Sequence, residues 1–149
     1  PNFGGDATFG PGGGAETNRN ASVCAVLADA VVFPDGSDTP NAAHRFNPRR
    51  HPFFSYKPGP DGQWTDPWGS PYVVTLDADA DGRCVDVLYG SVPVAELALE
   101  RGETAGGREC RFLAGGAMAW SAGPDRASSP LDKAGEGANK DNVASWRSR

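Results

Sequence analysis

The stretch Trp64-Thr-Asp-Pro-Trp-Gly-Ser-Pro-Tyr72 constrains this chain more than any other segment. Pro67 and Pro71 fix φ and remove two N–H donors. Asp66, standing before a proline, is pushed away from helix toward an extended or turn conformation. Gly69 can take backbone angles closed to Trp68 and Tyr72. Large apolar side chains on so stiff a backbone make a poor linker. The stretch leads straight into the strand-like run Val73-Val74-Thr75-Leu76, so it is expected to pin an irregular N-terminal half onto a small sheet, with Trp68 and Tyr72 as its anchors.

A chain of 149 residues suits one domain with a modest core. Its 20 glycines and 13 prolines favour turns and long loops over helices. Residues 1–15 are Gly-rich with little to bury and read as a flexible segment. Residues 16–149 then form a single globular domain. Asn20 or Ser22 can cap a helix carrying Val23, Val26, Leu27, Ala30 and Val31, and Pro34-Asp-Gly36 stops it. From Ser37 to Gln63 a long ordered loop is expected. Tyr72–Leu76 and Cys84–Tyr89 read as strands of a hairpin with an acidic tip. Val92–Arg101 is a short helix or irregular, Arg111–Ala114 leads into a Gly pair, and Ala117–Ser121 is a final strand. The polar segment that follows ends in Trp146, an anchor for a loop folded back on the sheet.

The net charge of −5 argues against nucleic acid, which demands clustered Lys and Arg. Arg45, Arg49 and Arg50 form a basic cluster too short for a groove. The three cysteines permit one intramolecular pair, Cys84 with Cys110 being the candidate, or three buried free thiols.

Three segments, in fixed order, resemble a known family. Thr65-Asp-Pro-Trp-Gly-Ser-Pro-Tyr-Val-Val74 is similar to the Asp-Pro-Trp-Gly signature of the major pseudopilins of bacterial type II secretion systems, relatives of the type IV pilins. Ala119-Trp-Ser-Ala-Gly-Pro-Asp125 resembles that family's late strand and the start of the loop after it. Asp141-Asn-Val-Ala-Ser-Trp146 resembles its closing stretch.

The resemblance implies an α+β headpiece, with an N-terminal helix packed on a small antiparallel β-sheet among long loops. It implies a structural, non-catalytic filament subunit that supports protein secretion. Its partners would be copies of itself and other pseudopilins in a helical filament, and the inner-membrane assembly platform. That platform is reached through a hydrophobic N-terminal helix, which lies outside this sequence together with the prepilin cleavage site. The headpiece would then sit in the bacterial cell envelope, periplasmic or extracellular, with the full-length form anchored in the inner membrane before assembly. A calcium-dependent extracellular binding or adhesion module is the rival reading.

The family's C-terminal loop holds calcium. Carried over by position, that assigns Asp125, Asp141 and Asn142 as ligands, with carbonyls near Ser121 and Ala122. A hard cation taking 6–8 oxygens suits such a loop. Charge does not favour it, because residues 121–149 carry four acids against five bases. An ion-free, hydrogen-bonded loop is the alternative. A second candidate, Asp77, Asp79 and Asp81, matches the first half of an EF-hand loop, but Leu88 stands where its closing Glu belongs. A solvated turn is the other reading there.

Enzyme readings are thin. His44 and His51 lack acids or cysteines at metal-ligand spacing. Ser70 and Ser121 lack a nucleophile-elbow context. The Gly13-Gly14 and Gly115-Gly116 pairs are not followed by the Lys-Ser/Thr of a phosphate loop.

Overall fold

A computed structural model of the chain describes residues 5–11, 19–55, 57–94, 98–104 and 106–147. Seven short strands and one α-helix are found among them. Strands β1 (Ala7–Phe9), β2 (Val73–Leu76), β6 (Ala117–Ser121) and β7 (Val143–Ala144) form an antiparallel sheet in the order β1-β2-β6-β7. Strands β3 (Arg83–Cys84), β5 (Glu109–Ala114) and β4 (Glu100–Glu103) form a second one, in the order β3-β5-β4. The helix α1 spans Asn20–Leu27.

The expected helix-on-sheet architecture is therefore corrected: the chain is mostly β and loop. Two physical causes operate. Helix α1 ends after eight residues because the chain turns left-handed at Asp29 (φ 57°), well before Pro34. Its buried face, Asn20, Ala21, Cys24 and Ala25, is too small-chained to cover a sheet. Instead the Asn20 side chain ties α1 to the aromatic turn. Its Nδ2 donates to Trp64 O and Tyr72 O, both at 2.7 Å, and its Oδ1 accepts Trp64 N at 2.9 Å. Neither Asn20 nor Ser22 caps the helix; Arg19 holds that position with no side-chain hydrogen bond.

Two further corrections concern strands. The flexible reading of residues 1–15 fails at Ala7–Phe9, which pair with β2; residues 1–4 and 12–15 of that segment lie outside the described residues. The hairpin of residues 72–89 does not form either. Val73–Leu76 pairs with β1 and β6, whereas Arg83–Cys84 pairs with β5, so the acidic turn connects two sheets.

The main core lies where the sheets meet and contains Val73, Cys84, Tyr89, Val94, Met118 and Trp120. Trp146 packs against its edge, as expected of a returning C-terminal anchor. The Tyr89 ring meets both Trp120 and Trp146 edge-on, at 5.4 and 5.2 Å between centroids. One buried carboxylate organises this region. Asp86 Oδ2 accepts from Thr75 Oγ1 (2.7 Å) and Trp120 Nε1 (3.1 Å), while its Oδ1 accepts the backbone N–H groups of Leu88 and Tyr89. Every lone pair it turns inward meets a donor, which makes its complete burial tolerable. The three cysteines are free and buried, so Cys84 and Cys110 are not joined.

Candidate functional site in the C-terminal loop

The loop after β6 is closed by three sets of contacts. Strand β7 pairs Ser121 with Val143 and Trp120 with Ala144. Ser145 Oγ accepts Ala119 N at 3.1 Å, and Arg147 Nη1 donates to Asn142 O at 2.9 Å. Gly123, at φ 69°, lies so close to the Asp141 backbone that a Cβ there would collide with the Asp141 carbonyl. Residues 121–123 and 141–142 are thereby held against each other.

Asn139 ties the loop together from inside. It is completely buried, its Oδ1 accepts Ser129 N (2.9 Å), and its Nδ2 donates to Ser129 O and Asp132 O (both 2.8 Å). The Asn142 amide is oriented by its own neighbours: its Nδ2 donates to Ala122 O at 3.1 Å and Ala127 O at 3.2 Å, and its Oδ1 accepts from Tyr89 Oη at 2.9 Å.

The Ala122 and Ala127 carbonyls are both supplied with a donor in this way, so the loop closes on hydrogen bonds. Asp141 Oδ1 is buried without a hydrogen-bond partner among the described residues. An orphaned carboxylate oxygen is costly unless a cation takes up its lone pairs. Asp141 is therefore the side chain of this loop with an oxygen to offer a hard cation such as calcium.

Of the residues assigned by position, Asn142 spends its amide on Ala122 O, Ala127 O and Tyr89 Oη, while Asp141 keeps one buried oxygen without a hydrogen-bond partner among the described residues. Asp125 is placed differently: its Oδ1 accepts Ala127 N at 2.9 Å and its Oδ2 lies 4.0 Å from Lys140 Nζ. It shapes the turn that carries Ala127. The fastening role of Asn139 has no signal in the sequence, because a buried Asn looks like a loop Asn.

The second candidate, Asp77, Asp79 and Asp81, is spent mostly on its own turn. Asp77 accepts Asp81 N and Gly82 N, Asp79 accepts Asp81 N, and Asp81 accepts Arg83 N. Asp6 joins it from beside β1, and one carboxylate oxygen each from Asp6, Asp77 and Asp79 lies within 4.8 Å of the others. Burial pushes the Asp6 carboxyl above its ordinary range, against the N–H groups of Val85 and Ala78 that favour its charge. Asp86, near in sequence, turns into the core and takes no part.

The aromatic turn shows one further difference. Trp64 and Tyr72 stack at 4.3 Å between centroids, while Trp68 is left 36% exposed, so Trp64 replaces Trp68 as the anchor. No family model, curated protein or solved structure matches this chain.

Proposed function

We propose that this chain is the headpiece of a filament subunit of the type II secretion pseudopilin and type IV pilin-like class, non-catalytic, with a C-terminal loop organised by calcium. The observation that carries the reading is that the segments whose sequence resembles that family meet in space. Ser121 Oγ donates to Asp66 Oδ2, and the stretch ending in Trp146 pairs with β6.

The reading does not depend on a helix packed on a sheet. It rests on those contacts, and a calcium ion would add to them through the buried Asp141 oxygen. Subunits would associate with one another in the cell envelope, and the substrate would be other proteins in transit, with no bond made or broken by this chain.

Two measurements test it. The gene upstream of Pro1 is expected to encode a hydrophobic segment of roughly 20 residues behind a prepilin cleavage site. A gene without one overturns the filament assignment. Calcium at 100 times its dissociation constant is expected to add about 2.7 kcal/mol to stability, reversed by a chelator. A thermal midpoint indifferent to calcium overturns the metal site.

A further inference from the structure

Charge is distributed unevenly on this acidic chain. Residues 39–60 contain Arg45, Arg49, Arg50 and Lys57 and no acid at all, leaving 10 Lys and Arg against 19 acids elsewhere. None of the three arginines forms a salt bridge among the described residues. Arg45 instead lies over the Phe46 ring, 4.9 Å from its centroid.

Phe46 and Phe53 share this loop and are 58% and 66% exposed. They are not loose. Asn41 Oδ1 accepts Phe46 N at 3.2 Å and Asn47 N at 3.0 Å, and Asn47 Nδ2 donates to Val26 O and His51 O. Phe53 N donates to Leu27 O at 2.8 Å. The hydrogen-bond network thus fixes two phenylalanines outward beside the helix end. There Phe46 and Leu27 also line an apolar groove of about 370 Å³ with Phe9, Val23 and Val26. Apolar groups held in water on a rigid frame mark a surface that something covers.

We infer that this face docks on an anionic lipid surface. Guanidinium groups meet lipid phosphates, and the two phenyl rings enter the headgroup boundary between them. A second copy of the chain is the less suitable occupant. Two outward phenyl rings beside guanidinium groups suit the boundary between headgroup phosphate and acyl chain, whereas a second copy offers the arginines carboxylates on an acidic surface. The inference is independent of the filament reading and survives if that reading fails.

The test is flotation of the purified chain with vesicles of phosphatidylcholine alone and of equal parts phosphatidylcholine and phosphatidylglycerol. Binding is expected only to the anionic vesicles, and it is expected to weaken as salt rises. Combined Arg45→Gln, Arg49→Gln and Arg50→Gln should weaken it about 100-fold. Phe46→Ser with Phe53→Ser should weaken it while the chain stays folded, since both rings are more than half exposed. Should the arginine variant fail to fold, the salt series on the unmutated chain decides. Failure to bind anionic vesicles, binding insensitive to salt, or binding indifferent to the arginine substitutions overturns the inference. So does a dimer in solution that those substitutions dissociate, because it gives the face to a second copy.

Discussion

Ser121 Oγ donates to Asp66 Oδ2 at 2.5 Å, and this one bond fastens the aromatic turn to the end of β6 across 55 residues of sequence. Asp66 Oδ1 meanwhile accepts Trp68 N and Ser70 N, and Ser121 Oγ accepts Gly123 N. The turn, the strand and the start of the C-terminal loop are therefore one hydrogen-bonded unit.

Asp66→Ala should accordingly lower stability by about 3 kcal/mol, since it leaves buried donors without a partner. Ser121→Ala should cost less, about 1–2 kcal/mol, because it removes a single link on each side. The double variant should lose less than the two single losses together. Denaturant unfolding of the four proteins checks this, and strict additivity would show that the two side chains act independently.

Asn20 does for the helix what Asp66 does for the turn. Its three hydrogen bonds to Trp64 and Tyr72 are made from a completely buried side chain. Asn20→Leu should destabilise the chain by about 3 kcal/mol, through an orphaned Tyr72 carbonyl and an orphaned Trp64 N–H, while Trp64 O keeps the Tyr72 N–H. The same variant should expose Trp64, visible as a red shift of its fluorescence. An unchanged unfolding midpoint would show that α1 is not tied to the turn in solution.

Much of the sheet is legible in sequence because hydrophobic pattern and chain punctuation agree at β2, at β6 and at the returning Trp146. The rest is hidden for definite reasons. Strand β1 lies in a Gly-rich segment and is three residues long. It is secured by register and by the contact of Thr8 Oγ1 with Thr75 Oγ1 at 3.0 Å, neither of which leaves an apolar pattern. The Asp77–Asp81 stretch suggests a hairpin locally, yet Cys84 finds its partner at Leu113, and distant pairing has no local signal. Asn20, Asn41, Asn47 and Asn139 hold the loops from buried positions with a residue type that sequence assigns to surfaces. In the C-terminal loop Asp141 could be named by position, but the donor that Asn142 gives to the carbonyls of Ala122 and Ala127 could not, since a backbone oxygen has no residue signature.

The pair Asp29 and His44 gives a pH dependence of known sign. Both lie at positive φ, with His44 Nδ1 2.8 Å from Asp29 Oδ1. The hydrogen bond from His44 is the main influence holding the Asp29 carboxyl below its ordinary value, helped by Asn41 and Arg50. A depressed carboxylate contributes stability above its unfolded pKa and loses that contribution as pH falls through the folded one. The loss should therefore appear in acid, below about pH 4. His44→Ala should move the Asp29 titration upward in a carboxyl NMR experiment and flatten the acid limb of the stability curve. An Asp29 titration that ignores the substitution would refute the pairing.

Thiol chemistry reports on burial. Burial pushes the Cys24 thiol up to about 11 and the Cys84 thiol up to about 12, the nearby Asp6 and Asp86 adding to the latter. Cys110 is raised too, again chiefly by burial. Thiolate is the reactive form, so iodoacetamide at mildly alkaline pH should leave the native chain unmodified. In denaturant all three should react, with mass spectrometry counting the adducts. Rapid native labelling of Cys84 would show that the junction between the sheets opens.

The sharpest test of the C-terminal loop sets Asp141 against Asn142. Asp141 Oδ1 is buried without a hydrogen-bond partner among the described residues, so Asp141→Ala should abolish the calcium-induced rise in thermal midpoint. Asn142→Asp removes the donor that Ala122 O and Ala127 O share and sets a carboxylate oxygen against them, which should cost about 1–3 kcal/mol with and without calcium alike. Asp125→Ala should mainly loosen the turn carrying Ala127. Thermal melts in calcium and in chelator check all three. A calcium response that survives Asp141→Ala would place the ion elsewhere, and an Asn142→Asp protein restored by calcium would mean that the two carbonyls face an ion and not an amide donor.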